Sequence, residues 1–326
     1  MVRRIALLAL ACLAAIGSFA LWQHGPFALL PRELGGDWPW YADGARRFFD
    51  PALPLFDPQL LAGAYDRLDP AIEGTWNQLP NVITPVLTVS LLAGTEARLV
   101  WWALTAVTVL GAFLLIWPRR VTFAAHFSLA VLLIAQGPIF EVLLWGNLSA
   151  LSLIGAVLVA LRRHPLLTAI GIAALALKGP MAVVAVLWLL RAEGRAAWRA
   201  IALGSALVTL SFLPALARFG PEIIGQTVTV VLNSVPTPYV NNLSPALWIG
   251  LVLDTVPVGL ITLALALPCF VLGLRRAGSQ AGLAVLLVGV CFLSTTTWAH
   301  WYAPPMAVAL LAARPYLESR LRAWFA

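Results

Sequence analysis

The sequence predicts an all-α, polytopic integral membrane protein with about ten membrane-spanning helices and one large polar loop after the first. Three observations predict it. Hydrophobic residues make up 61% of the 326 and charged residues only 11%, with apolar runs recurring along the whole length. The arginines come mostly as short clusters between those runs, at Arg3-Arg4, Arg119-Arg120, Arg162-Arg163, Arg191/Arg195/Arg199, Arg275-Arg276 and Arg320/Arg322. Such clusters read as cytoplasmic topology signals. Finally, eight of the fourteen carboxylates lie between Glu33 and Glu73. They sit in the one long polar segment, residues 23–96, so the chain reads as a single membrane-embedded domain over 1–326.

These features exclude several classes. The net charge of +7 is no nucleic-acid footprint, because its arginines punctuate apolar spans. Cys12, Cys269 and Cys291 all fall in apolar segments without metal-ligand spacing and read as small buried hydrophobes. No clustered metal-ligand set, phosphate-cradling glycine loop or nucleophile triad is present, so neither metal nor cofactor is expected.

The elements follow in order. Met1–Arg4 and the apolar run after it read either as a signal peptide, with Ser18-Phe19-Ala20 as a small-x-small cleavage site, or as a retained helix reaching Trp22. Retention is the preferred reading, and both leave the acidic loop outside. Residues 80–93 are short for a span and carry Asn81, Thr84 and Pro85, so they are expected as an interfacial helix. Residues 97–117 make a full-length span. Spans near 121–137 and 147–161 form a hairpin whose tip, Gly137 to Gly146, lies outside. Those near 165–177 and 180–190 turn at Lys178-Gly179-Pro180; both are short for a bilayer of about 30 Å, which recesses the turn in a cavity. A span at 200–216 leads to an outer loop, 217–245, and residues near 248–274 return, with an interfacial segment as an alternative start. The last pair, near 281–294 and 302–313, turns at Thr295 to Tyr302. Both termini are then cytoplasmic.

That topology gathers the candidate residues on one face: Asp37, Tyr41, Asp43, Glu141, Asn147, Lys178, Asn242, Trp298, His300 and Tyr302. Asp37 opens a helix-spaced segment with Trp38, Tyr41, Ala42, Ala45 and Phe48/Phe49 on one face and Asp43, Arg46 and Arg47 opposite. It reads as an N-cap with Pro39 in the first turn, and equally as a general base for a sugar hydroxyl. Capping would weaken it as a base, so that role rests on positioning. Asp43, six residues on, points elsewhere.

Lys178 is the only lysine in the chain. A cation at mid-bilayer costs about 2.5–3.5 kcal/mol and marks function by default, although a lysine at a hairpin tip also snorkels. A single ammonium in a recessed outer cavity suits a lipid-borne phosphate. His300 is either one more member of an interfacial aromatic belt or a phosphate contact and proton relay. Glu141 and Asn147 flank a hairpin tip, where they can also satisfy loop backbone groups. Asn241-Asn242 is a turn signal as well as a ligand contact, and the sequon at Asn242 is discounted because arginine-rich, lysine-poor composition points to a bacterial source.

Several of these segments, in order, resemble glycosyltransferase family 87, integral-membrane enzymes of the GT-C type that use polyprenyl-phosphate sugars such as polyprenyl-phosphate mannose. Asp37-x-x-x-Tyr41-x-x-x-Ala45 is similar to the family's Asp-aromatic segment, Gly146-Asn147-Leu148 to its Gly-Gln-x-Asn element, and Lys178-Gly179-Pro180 to its Lys-Pro element. Asn241-Asn242-Leu243-Ser244 resembles an Asn-x-Ser element and Trp298-Ala299-His300-Trp301-Tyr302 a Trp-x-His-x-Tyr element. The chain departs from the family at Trp76-Asn77-Gln78-Leu79-Pro80, at Gly179 and in its shortness.

The resemblance implies a GT-C-like helical bundle in the bacterial inner membrane, with an extracytoplasmic site. It implies hexose transfer from a polyprenyl-phosphate-linked sugar donor to a lipid or glycan acceptor, with Asp37 as base and Lys178 and His300 on the donor phosphate. Tyr41, Asp43, Glu141, Asn147, Asn242, Trp298 and Tyr302 are expected around the substrates, and membrane lipids around the bundle. A transporter or lipid flippase is the rival reading, resting on the recessed lysine and the interrupted helices; an inactive scaffold for envelope assembly is a third.

Overall fold

The computed structural model describes residues 37–62, 78–117, 137–233, 244–253, 256–294, 297 and 299–325. The expected spans near 5–22 and 121–137, and the candidates Asn242 and Trp298, lie outside the described residues.

Every regular element among the described residues is helical. In chain order the main helices are α1 Trp38–Phe49, α2 Ile83–Ala93, α3 Ala97–Ile116, α4 Gly137–Trp145, α5 Ser149–Leu161, α6 Pro165–Ala176 and α7 Pro180–Glu193. They continue with α8 Trp198–Phe219, α9 Glu222–Asn233, α10 Pro245–Leu253, α11 Val258–Arg275, α12 Gln280–Leu293 and α13 Ala303–Phe325. Short 3₁₀ turns at Pro80–Val82, Gly94–Glu96, Gly194–Ala197 and Ala299–Tyr302 join them.

Local chemistry sets the boundaries. Pro165 and Pro180 open α6 and α7 at positions where no intrahelical N–H is needed. The His164 ring caps α6 by accepting the Leu166 N–H at 3.2 Å. Gly94 and Gly194 close α2 and α7 at φ 52° and 56°, a backbone region open to glycine at little cost.

Three stretches, Pro80–Ile116, Pro180–Phe219 and Val258–Arg275, are long and apolar enough to cross a membrane, and α5, α6 and α12 are shorter apolar helices. The two glycines interrupt the first two stretches. At 1.5 Å per residue the 20-residue α3 still reaches about 30 Å, whereas the 12-residue α6 and 14-residue α7 reach only about 18 and 21 Å. The shortness expected on both sides of Lys178 is therefore present.

The surface is inverted relative to a water-soluble protein. Along α3, Trp101, Thr105, Val109, Ala112 and Ile116 face inward, while Leu99, Leu104, Val107, Leu110 and Leu114 are exposed. With apolar chains on both faces, burial from water cannot select the inner one; close packing does. Helix α5 forms the centre, against α3, α6 and α13. Its contact with α6 is backbone on backbone: a Cβ placed on Gly155 meets the Gly171 carbonyl oxygen at 2.7 Å, and the reverse holds at 2.7 Å. Helix α12 joins α7, α11 and α13 to the same core. A second core, of Trp38, Tyr41, Leu55, Phe56, Val82 and Val86 with the ends of α3 and α8, covers one end of the bundle.

The two ends differ in character. At one, Arg162 ties the α5–α6 corner to the Gly278 carbonyl (3.2 Å), lies 3.5 Å from Glu193 and stacks over Trp188. The exposed Arg163, Arg191, Arg195, Arg199 and Arg275 extend that end. At the other, Arg218 donates to the Phe48 and Asp50 carbonyls at 2.8 and 2.7 Å, and Asn81 to the Ala176 carbonyl at 3.3 Å.

Three expectations are refined. The outer loop 217–245 contains α9, held by Ile223 in the second core. The return near 248–274 is two helices, α10 and α11, folded against each other with Gly250 admitting the Val258 side chain. The last helix runs to Phe325, past the apolar segment, its polar turns tied by Arg314–Glu318 at 3.0 Å.

Candidate functional site

Asp37 occupies the N-cap position of α1, yet its side chain makes no capping bond. The carboxylate is taken instead by the Asn147 amide, which donates to Oδ2, and by the Tyr41 hydroxyl one turn along α1. Its own N–H donates to the Trp145 carbonyl at 3.0 Å, pinning the start of α1 to the end of α4. Tyr41 is fully buried; burial first, and the Asp37 charge second, push its hydroxyl well above the usual range, so it stays a donor to Asp37. The same oxygen accepts the Leu148 N–H at 3.2 Å. Trp38, Tyr41 and Trp101 pack as a ring cluster beneath, with centroids 5.1 to 6.4 Å apart.

Two indoles the sequence reading passed over frame this junction. Trp101 donates to the Gly146 carbonyl at 2.6 Å and Trp102 to the Leu143 carbonyl at 2.7 Å, fastening α3 to the α4–α5 corner. Their signal was available: an indole N–H in an apolar span needs an acceptor, and a helix C-terminus supplies free carbonyls.

On α4, Glu141 is 5% exposed and its Oε2 lies 3.5 Å from His300 Nδ1. Burial pushes the Glu141 carboxyl up to about 8; the His300 backbone N–H pulls the other way and the Asp37 charge adds to the rise. At neutral pH Glu141 therefore keeps its proton, and its contact with His300 is not an ion pair. Trp301, next in the turn, lies under the Lys178 ammonium at 5.0 Å, and Leu79 touches the adjoining Gly179 position.

Asp37, Tyr41, Glu141, Asn147, Lys178 and His300 thus occupy one neighbourhood, at the end opposite the Arg162 corner. Lys178 sits where two short helices meet, so the apolar flanks of both leave it at the bundle's edge over an aromatic ring, a favourable setting for an ammonium.

Two other candidates have different placements. Asp43 meets Arg46 and Arg47, each at 2.6 Å, and Arg47 continues to the Pro54 carbonyl at 3.0 Å. It braces the loop after α1, and Arg47, expected on the open face, is buried. Tyr302 is wholly buried in the main core rather than open to a ligand. Among the described residues no group of three His, Cys, Asp or Glu side chains is placed to hold a metal ion.

No known protein family, curated protein or solved structure matches the chain. The site's chemistry therefore rests on its own residues.

Proposed function

We propose that the chain is an inverting membrane glycosyltransferase of the GT-C type, moving a hexose such as mannose from a polyprenyl monophosphate to an extracytoplasmic lipid or glycan acceptor. The observation that carries this reading is the Asp37 carboxylate held by Asn147 at the α4–α5 corner, its charge felt by Glu141, which meets His300, with Lys178 over the adjoining Trp301. A base and a phosphate-binding cation are thereby offered at one end of a lipid-embedded bundle.

In this reading the protein crosses the bacterial inner membrane ten times, with both termini and the arginine corner cytoplasmic and the site outside. The acceptor hydroxyl gives its proton to Asp37, and its oxygen attacks the anomeric carbon from the face opposite the phosphate. The bond from that carbon to the phosphate oxygen breaks, and the electron pair leaves on the phosphate. Lys178 and His300 stabilise that charge. The isoprenoid tail lies among the exposed leucines. No cofactor is needed for this step, because the leaving group is a single phosphate.

The test is turnover of polyprenyl-phosphate mannose by purified protein, with extracted membrane lipids as acceptor. Asp37→Asn is expected to lower turnover about 10²–10⁴-fold, the usual worth of a positioned base. Equal turnover in wild type and variant removes Asp37 from the mechanism. The transporter reading draws support from the interrupted helices around Lys178; lipid-linked sugar crossing a proteoliposome with no new glycosidic bond would favour it. A scaffold would keep its complex and its cellular phenotype with Asp37, Lys178 and His300 all neutralised.

A further inference from the structure

Asn147 was expected to touch substrate, but its hydrogen bonds assign it elsewhere. It sits in the corner between α4 and α5, with its N–H on the Val142 carbonyl at 3.2 Å. Its side-chain oxygen accepts the Ser149 N–H at 2.8 Å. An amide flipped about its terminal bond would aim an NH₂ at that N–H, so the oxygen's position is fixed by a donor it must accept. The amide nitrogen is then the only atom left to face Asp37 Oδ2, and it faces it as a donor. Asn147 is 5% exposed, which leaves little room for water to substitute.

We infer that Asn147 is the positioning residue of Asp37: a rigid donor on the second chain segment that sets both the orientation of the carboxylate and the pH at which it takes a proton. This deepens the proposed reaction and rests on that reading for its kinetic half only. A donor to the ionised form favours that form, so the bond trades basicity for placement. Among the described residues, Tyr41 on α1 and Glu141 on α4 act on Asp37, with His300 and Lys178 beyond them.

The discriminating variant is Asn147→Asp. It keeps the shape and the acceptor for the Ser149 N–H but loses the donor, setting a second carboxylate against Asp37. Two readouts apply to the purified full-length protein in nanodiscs. Infrared titration of the carboxylates, taken as the difference from Asp37→Asn, follows Asp37 without any substrate. The acid limb of the pH–rate profile with polyprenyl-phosphate mannose follows it in turnover. Both are expected to move to higher pH by about one unit or more in Asn147→Asp.

The exchanged pair, Asp37→Asn with Asn147→Asp, rebuilds the hydrogen bond in reverse. It is expected to recover the melting temperature lost by Asn147→Asp while leaving turnover lost, because the carboxylate then hangs from the wrong segment. An unmoved infrared titration in Asn147→Asp overturns the inference. Full turnover in the exchanged pair overturns it too, since placement would then not matter. Absence of turnover in wild type defeats the proposed reaction alone, because the titration still decides the role of Asn147.

Discussion

Glu141 shows how a single buried side chain gives the molecule a pH dependence. Its folded value of about 8 stands above the ordinary 4.5. Below about 4.5 the folded and unfolded chains both hold the proton, and its contribution is complete. Between 4.5 and 8 the unfolded chain releases a proton that the folded chain retains, so stability falls as pH rises, and above about 8 the contribution is gone. The full swing is on the order of a few kcal/mol. The expected outcome is a melting temperature in detergent that drops from pH 5 to pH 8.5 in wild type and drops distinctly less in Glu141→Gln. Parallel curves would place the source elsewhere. Residue roles were unevenly legible. The Asp43-x-x-Arg46-Arg47 spacing is an i, i+3, i+4 ion-pair pattern and foretells the clamp found there. Nothing local foretells that Asp37 forgoes its cap for Asn147, 110 residues away along the chain. That pairing is set by how α1 lies across the α4–α5 corner.

At the scale of elements, the contact between α5 and α6 is the least forgiving. Gly155 and Gly171 face each other's carbonyls with no room for a Cβ, so Gly155→Leu must push the helices apart. A loss of about 1–3 kcal/mol or more is expected, read as a lowered melting temperature. Leu110→Ala, on the exposed face of α3, serves as the control, with little change expected. The helices with proline or glycine at their ends were legible to within a few residues, because those residues act through the backbone. Helices α9 and α10 were not. Each is short, nine or twelve residues, too few for the length of an apolar run to mark it as an element of its own.

At the scale of the whole molecule, separation of the arginine corner from the carboxylate end is the feature most directly written in the sequence. Charge sorting needs only composition at helix ends, whereas the pairing of those ends needs the packed fold. A cysteine-free background with Thr95→Cys, between α2 and α3, or Arg195→Cys, between α7 and α8, tests the sorting; both positions are exposed. Impermeant maleimide is expected to label the first from outside intact inner-membrane vesicles of native orientation, and the second only after they are opened. Labelling of both from one side would discard the ten-crossing arrangement. The tether from the Asp37 N–H to the Trp145 carbonyl carries a last consequence. Lifting α1 away like a cover would break that main-chain bond together with the contact between Asn147 and Asp37. On the proposed reading, a lipid-borne donor does better to slide in from the flank than to wait for the roof to rise.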